Sequence, residues 1–139
     1  MSDRLRRFTG GCLCGALRYE AVGEPTMSGH CYCVDCRKAS GSGFSPFMVF
    51  PREALTMTGP ARQFRTTSFR GSDAVRNSCP TCGSLVFGGE YGQDDAHTIY
   101  AGSLDDARAF KPTIALFTRD RPDWAALPEG LTLFATMPE

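Results

Sequence analysis

The segments Gly10-Gly11-Cys12-Leu13-Cys14-Gly15 and Cys79-Pro80-Thr81-Cys82-Gly83 carry two close pairs of cysteines that lie far apart in the chain. A Cys-x-x-Cys turn followed by glycine is typical of zinc knuckles, because a glycine in the left-handed conformation lets backbone amides approach the sulfurs. Structural zinc takes four ligands, and one pair supplies only half of them. We therefore predict one closed four-thiolate zinc site, formed by Cys12, Cys14, Cys79 and Cys82. Such a site would fasten the N-terminal strand to a hairpin about 65 positions later.

The other three cysteines lie in one short segment, Cys31-Tyr32-Cys33-Val34-Asp35-Cys36. Three protein ligands leave the fourth position of a zinc ion open for water or substrate, as at a catalytic site. Four ligands plus three use all seven cysteines, whereas a disulfide framework would leave one thiol over. We therefore predict a second zinc on Cys31, Cys33 and Cys36, and we place the catalytic function at its open position.

Spacing alone leaves other interpretations of the cysteines open. The two outer pairs could form a redox dithiol or an iron–sulfur cluster. Tight turns at both pairs, and the lack of a thioredoxin-like βαβ pattern around them, favour zinc. The middle triad could be a second structural zinc completed by a distant residue, or a purely redox group. His30 is the nearest candidate for a fourth ligand, although its position beside Cys31 gives poor geometry. His97 lies on a predicted strand and is more typical of a core or surface histidine than of a ligand.

The composition indicates a globular protein with no strong charge bias. A length of 139 residues suits one domain, so we predict a single domain over residues 1–139 with its motifs within residues 8–136. Fifteen basic residues balance fifteen acidic ones, which argues against a nucleic-acid partner. No apolar run approaches the ~20 residues of a membrane span, and no apolar segment follows the basic start of the chain. We expect no membrane partner and a cytoplasmic location, and the sequence leaves the oligomeric state open.

Short hydrophobic periodicity predicts a β-dominated domain, with Gly, Pro and Asp clusters at nearly every junction. The predicted strands are Ala16–Val22, Phe44–Phe50, Leu55–Thr58, Arg62–Ser68, Ala74–Asn77, Ser84–Tyr91, His97–Ser103, Thr113–Thr118 and Leu131–Ala135. Short helical turns are predicted only at Val34–Ser40, Leu104–Phe110 and Pro122–Leu127.

Three motifs and a C-terminal segment together resemble one known family. The motifs are Gly10-Gly11-Cys12-Leu13-Cys14-Gly15, Cys31-Tyr32-Cys33-Val34-Asp35-Cys36-Arg37-Lys38 and Arg76-Asn77-Ser78-Cys79-Pro80-Thr81-Cys82-Gly83-Ser84-Leu85. The C-terminal segment contains Ala101-Gly102-Ser103-Leu104-Asp105-Asp106, Phe110-Lys111-Pro112 and Arg121-Pro122-Asp123-Trp124. The sequence resembles the glutathione-dependent formaldehyde-activating enzyme family, also known as the GFA or CENP-V/GFA domain family, over roughly residues 8 to 136.

This resemblance implies a mainly β, Mss4-like (β-tent) fold of short antiparallel strands bound together by a structural zinc. In the family the structural ion takes the outer cysteine pairs and the catalytic ion takes the middle triad, which is the partition that ligand counting gives. The resemblance also implies a carbon–sulfur lyase similar to S-(hydroxymethyl)glutathione synthase. In such an enzyme zinc lowers the pKa of a thiol such as glutathione, and the thiolate attacks an aldehyde such as formaldehyde.

The segment around the triad also suggests substrate contacts and shows two departures from the family. Arg37 and Lys38 follow the triad and are expected to receive a carboxylate of the tripeptide, while a solvated loop would explain them equally well. Tyr32 stands where many members have histidine, and Ile114-Ala115 stand where many have another. If these histidines relay protons in relatives, the role is either absent from this chain or filled by another residue. The candidates for that residue are His30, His97, Tyr32 and Asp35.

A function of a different class stays open at this point. The chain could be a non-catalytic, zinc-stabilised binding module with the same Mss4-like fold, and a filled fourth position at the triad would favour that interpretation. A redox sensor is a third possibility.

Overall fold

Short strands dominate the fold, and the computed structural model describes residues 5–68 and 71–138. The strands are β1 (Arg7–Gly11), β2 (Arg18–Val22), β3 (Met27–Cys31), β4 (Ser45–Pro51), β5 (Leu55–Thr58), β6 (Arg62–Thr67), β7 (Asp73–Ser78), β8 (Leu85–Gly88), β9 (Ala96–Tyr100), β10 (Ile114–Leu116) and β11 (Thr132–Leu133). The α-helix α1 spans Val34–Ser40, and 3-10 turns lie at Arg52–Ala54, Ala101–Ser103, Ala107–Ala109 and Thr118–Asp120. No helix in these two ranges is both long and apolar enough to cross a membrane.

The strands form two sheets. The small sheet has the order β1-β2-β5, and the large sheet has the order β11-β10-β3-β4-β9-β8-β7-β6. Neighbouring strands run antiparallel with two exceptions, because β10 pairs in parallel with both β3 and β11. The predicted mainly β class of short antiparallel strands is confirmed, and these two parallel pairs are an addition that the sequence did not indicate.

The main core lies between the two sheets. Side chains alternate between the faces of a strand, so every second residue of β2 and β9 points into this core. The small sheet and its flanks contribute Phe8, Leu17, Tyr19 and Ala21, and the large sheet contributes Met48, Phe50, Phe87 and Ile99. This packing leaves the opposite face of the large sheet available for a second, smaller cluster.

That opposite face carries the middle cysteines. Phe47 alternates with the core residue Met48, and it packs with Cys31, Cys33 and Leu116 in a separate buried cluster. The register places Cys31 opposite Ser45, and Phe47 opposite both Gly29 and Tyr100. The fold thus presents residues from β3, β4, β9 and β10 together on one surface.

The local predictions were right where the pattern was strong. Helix α1 and strand β5 have the predicted bounds, and the other predicted strands differ by a few residues at their ends. Strands β1 and β3 were missed. The segment predicted as a helical turn at Pro122–Leu127 forms only a non-helical turn, so that prediction was wrong. The prolines at both ends of the 122–128 stretch restrict helix formation.

Candidate metal centres

The outer cysteine pairs meet in one cluster. The four sulfurs of Cys12, Cys14, Cys79 and Cys82 all lie within 4.8 Å of one another. The Cys14 sulfur lies 3.7 Å from the sulfur of Cys12 and 3.7 Å from that of Cys79. A tetrahedron with zinc–sulfur bonds of about 2.3 Å has edges of about 3.8 Å. The donor set and its spacing therefore fit a tetrahedral zinc ion.

Each pair sits in a tight turn closed by a glycine. The Gly15 N–H donates to the Cys12 carbonyl at 3.2 Å, and the Gly83 N–H donates to the Cys79 carbonyl at 2.8 Å. Both glycines have positive φ, at 86° and 79°, which a residue with a side chain rarely adopts. The two turns also contact each other, because the Leu13 N–H donates to the Ser84 hydroxyl at 3.1 Å.

Hydrogen-bond donors surround these sulfurs and favour the thiolate form that metal binding needs. The Leu17 N–H donates to the Cys12 sulfur at 3.3 Å and lowers the pKa of that thiol. The hydroxyl of Ser84, 3.2 Å from the Cys82 sulfur, is the main cause that lowers the pKa of Cys82 to about 5. The turns thus favour the thiolate form at Cys12 and Cys82. At Cys14 a backbone hydrogen bond at Ala16 lowers the pKa, but contacts with the other three sulfurs outweigh it and raise the pKa to about 11.

The middle cysteines form a second cluster at the junction of β3 and α1. Cys31 ends β3, and Cys33 caps α1 by accepting a hydrogen bond from the Cys36 N–H at 3.2 Å. The three sulfurs lie within 4.8 Å of one another, and those of Cys33 and Cys36 are 3.0 Å apart. No fourth histidine, cysteine or carboxylate joins them within the ranges 5–68 and 71–138. The triad offers three thiol donors, which fits a zinc ion with one position left for another ligand.

The three thiols of the triad do not ionise independently. Hydrogen bonds from Cys31 and Cys36 lower the pKa of Cys33, whereas contact with the Cys33 sulfur is the main cause that raises the pKa of Cys31. Contacts with Cys31 and Cys33 likewise raise the pKa of Cys36. Three thiolates in contact repel one another, so a cation between them would be needed to hold all three deprotonated.

A cavity of about 260 Å³ opens beside the triad. Cys31 and Cys36 form part of its wall, and Phe47 and Leu116 supply apolar surface. Its remaining lining residues are Met27, Ser45, Val49, Arg76, Thr98, Tyr100 and Met137. Ser45 and Tyr100 also line a groove of about 850 Å³ that runs past Cys12, so the two spaces adjoin. The triad thus borders a space of a size suited to a small molecule.

The predicted relay candidates lie on other surfaces. His97 is buried in the core face of β9, where it alternates with the cavity-lining Thr98, and burial lowers its pKa. The His30 ring stacks on Phe44 at 4.2 Å between centroids, and burial lowers the pKa of His30 as well. The Tyr32 hydroxyl donates to the Ala126 carbonyl at 2.6 Å. None of these three side chains lines the cavity beside the triad.

The predicted substrate-binding residues lie on α1. Arg37 is half-buried and Lys38 is exposed. Neither lines the triad cavity, although Lys38 and Asp35 line a separate groove of about 580 Å³. No sequence pattern indicated a role for two residues that do line the cavity, Arg76 and Tyr100. Arg76 belongs to the quoted motif before Cys79, so it could have been found there, but its position in the cavity follows only from the sheet register.

Comparison with known proteins decides the family. The family profile described as glutathione-dependent formaldehyde-activating enzyme matches residues 7–120. The chain belongs to this family. A curated GFA relative from Talaromyces marneffei is 29% identical over 138 residues, covering 89% of this chain and 70% of that protein. Its name assigns it provisionally as a glutathione-dependent formaldehyde-activating enzyme.

Two further proteins are similar to the GFA chain, a second curated protein and one with a solved structure. A Schizosaccharomyces pombe protein named as an uncharacterised lyase is 26% identical over 80 residues, which cover 58% of this chain and 56% of that protein. A crystal structure of a Rhodobacter sphaeroides protein matches with a TM-score of 0.53 at 19% identity, covering 70% of this chain and 87% of that one. That structural likeness supports the fold alone.

Proposed function

We propose that the chain is a zinc-dependent carbon–sulfur lyase that acts on a thiol–aldehyde adduct, similar to S-(hydroxymethyl)glutathione synthase. Membership of the GFA family and the names of the two relatives support this class of reaction, with glutathione and formaldehyde as the substrates. The observation that carries the proposal is the cavity beside a cluster of only three cysteines. A metal site with three protein ligands and an adjoining cavity can admit a substrate sulfur.

The two cysteine clusters would hold zinc ions with different roles. Cys12, Cys14, Cys79 and Cys82 would hold a structural zinc, and Cys31, Cys33 and Cys36 would hold a second one. A zinc ion in the triad would lower the pKa of a thiol that enters its open position. Three thiolate ligands suit a soft sulfur ligand better than hydroxide, which favours thiol chemistry at this site.

The remaining parts of the reaction fall to the chain itself. In the forward direction the thiol gives up its proton, its sulfur forms a bond to the aldehyde carbon as the carbonyl π bond opens, and that proton is returned to the carbonyl oxygen. The reverse direction breaks the same carbon–sulfur bond and returns the proton. Phe47 and Leu116 give one wall of the cavity an apolar surface, against which the free aldehyde would bind better than its more polar hydrate. Arg37 and Lys38 lie on α1 outside the cavity, so they stay candidates only for weak contacts with a part of the substrate that extends beyond it.

The location, the domain organisation and the partners complete the proposal. Seven free cysteines suit a reducing compartment, which supports a cytoplasmic location. We keep a single domain over residues 1–139, with no nucleic-acid or membrane partner. The alternative, a non-catalytic binding module, needs no cavity beside the triad, so the cavity supports an enzyme over a module.

The test is the rate at which glutathione and ¹³C-formaldehyde exchange with their adduct, followed by NMR against the uncatalysed reaction. The zinc-loaded protein should accelerate the exchange, and Cys33→Ser should bring it back to the uncatalysed rate. Serine is itself a good helix N-cap, so this change should keep α1. The exposed Val34→Ser on the same turn is the matched control and should behave like the unmodified protein. Exchange at the uncatalysed rate with the unmodified protein, or full acceleration by Cys33→Ser, would contradict the proposal.

A further inference from the structure

One cationic side chain lines the cavity beside the triad. Within the described ranges of the chain that residue is Arg76, on β7. Arg76 also borders two adjoining grooves, of about 310 and 580 Å³, so it stands where three spaces meet. It is half-buried, which leaves its guanidinium accessible to a ligand in the cavity.

The sheet register explains how a residue of β7 reaches a site on β3. Arg76 pairs with Gly88, and Gly88 pairs with Thr98, so the three share one row across the sheet. Gly88 has no side chain to separate Arg76 from the residues of β9. A Cβ atom on Gly88 would lie 3.0 Å from the Tyr100 hydroxyl, so the Tyr100 side chain uses the space above the glycine.

Tyr100 links Arg76 to the triad. It lines the same cavity and lies opposite Phe47 in the sheet. Burial raises the pKa of Tyr100 to about 12, although the nearby Arg76 guanidinium acts to lower that pKa. The hydroxyl therefore stays protonated at neutral pH and can hold Arg76 and a ligand in place as a hydrogen-bonding group.

Arg76 lacks the acidic partner that a structural arginine of this sheet has. Arg65, on the neighbouring β6, donates to Asp73 at 2.7 Å and to Glu90 at 2.8 Å. No comparable ion pair joins Arg76 to a carboxylate among residues 5–68 and 71–138. An arginine fork that faces a cavity without an internal partner is well suited to bind a carboxylate from outside.

We infer that Arg76 binds a carboxylate of the substrate, and that the site is therefore specific for anionic thiols whose sulfur lies at the triad. This inference rests on the proposed thiol chemistry and adds to it the residue that makes the site select for a carboxylate on the thiol. A tripeptide spans about 10 Å when extended. Because Cys36 and Arg76 line the same cavity, one molecule can place its sulfur beside Cys36 and a carboxylate at Arg76. Arg76 then has the carboxylate-binding role that was predicted for Arg37 and Lys38 from the sequence.

The test measures binding of two thiols to the zinc-loaded protein by calorimetry. One is glutathione, and the other is its diethyl ester, in which both carboxylates are blocked. The unmodified protein should bind glutathione about 10- to 100-fold more tightly than the ester, because hydrogen bonds to charged groups are worth that factor. Arg76→Gln should lose this preference while its affinity for the ester stays unchanged, and Arg76→Lys should retain part of it.

Two control variants isolate the effect of Arg76. Arg62→Gln removes one exposed charge from the neighbouring β6 and should change neither affinity. The double change Arg37→Gln and Lys38→Gln should alter the affinity for glutathione less than about twofold, since neither residue lines the cavity.

The outcomes separate this inference from the proposed function. Suppose that the unmodified protein binds glutathione. If Arg76→Gln then binds glutathione equally well, or loses affinity for glutathione and for the ester to the same extent, Arg76 is not the carboxylate-binding residue. A loss confined to the Arg37 and Lys38 double variant would overturn the inference in favour of α1. Failure of the unmodified protein to bind either thiol would instead overturn the proposed function, and this inference with it.

Discussion

The two cysteine clusters differ in how the chain builds them and in what surrounds them. The four-cysteine cluster joins two turns that are 65 residues apart, and its sulfur spacings of 3.7 Å are close to the edge of a zinc tetrahedron. The triad comes from one short segment, and its Cys33 and Cys36 sulfurs are only 3.0 Å apart. The first cluster offers the four donors of a complete tetrahedral site, whereas the second offers three.

The surroundings of the two clusters follow the same division. The sulfurs of the first cluster receive backbone and hydroxyl hydrogen bonds from the turns themselves, as from Leu17 and Ser84. Cys12 also borders the groove of about 850 Å³, but only the triad combines three cysteine ligands with a cavity of apolar, hydroxyl and cationic lining. The number of cysteines thus distinguishes a cluster that can close the fold from one that leaves room for a substrate.

The largest expected effect is on folding. Cys79→Ser should remove the structural zinc and, with it, the link between the two turns. Structural zinc contributes folding free energy outright, so the midpoint of thermal unfolding should fall by more than about 15 °C, or the cooperative transition should vanish. Cys33→Ser, which leaves the outer cluster intact, should lower it by less than about 5 °C. Equal losses for the two variants, measured by circular dichroism, would remove the distinction between the clusters.

A smaller effect is expected on the rate of metal release. A chelator can attack the open position of the triad, whereas four thiolates protect the outer ion, so the triad should lose zinc first. A colorimetric chelator should therefore show two phases of equal amplitude, whose rates differ by at least about tenfold. Cys33→Ser should lack the fast phase, while Val34→Ser should keep it. A single phase in the unmodified protein would show that the two sites are not distinct.

The smallest expected effect is on the stability contributed by Asp105, which is hydrogen-bonded to β1, the strand that leads into Cys12. Asp105 accepts hydrogen bonds from Arg18 at 2.9 Å and from Thr9 at 2.9 Å, and these contacts, Arg18 first, lower the pKa of Asp105 to about 2. A lowered carboxyl pKa contributes stability above its ordinary value of 3.8, and this contribution is lost as the pH falls towards 2. Because the pair is exposed, Asp105→Asn should lower the unfolding midpoint at pH 7 by only a few degrees.

This last variant also has an acid-pH control. The difference in unfolding midpoint between Asp105→Asn and the unmodified protein should shrink between pH 5 and pH 2, and the fast phase of zinc release at pH 7 should be unchanged. A difference that persists at pH 2, or a changed fast phase, would show that Asp105 acts other than through this ion pair.

Local patterns made much of this molecule predictable. The partition of the cysteines follows from their spacing, since close pairs and a triad are visible without any tertiary information. Helix α1 was predicted with its observed bounds, Val34–Ser40. The mainly β class followed from short periodicity bounded by turn residues.

The rest depended on contacts between distant parts of the chain. Strand β3 reads Met27-Ser28-Gly29-His30-Cys31, which lacks the alternating apolar pattern of a strand, and it becomes one because β4 and β10 pair with both of its edges. The position of Arg76 follows from pairings across β7, β8 and β9. Two successive pairings, of β7 with β8 and of β8 with β9, bring this residue to the triad cavity, and no spacing in the sequence indicates them.

The measurement that tests the central claim most directly is the number of zinc ions per chain, determined by native mass spectrometry on the unmodified protein and on Cys33→Ser. The account predicts two zinc ions in the unmodified protein and one in a folded Cys33→Ser. A single zinc ion in the unmodified protein that is retained in Cys33→Ser, or none in either, would contradict it.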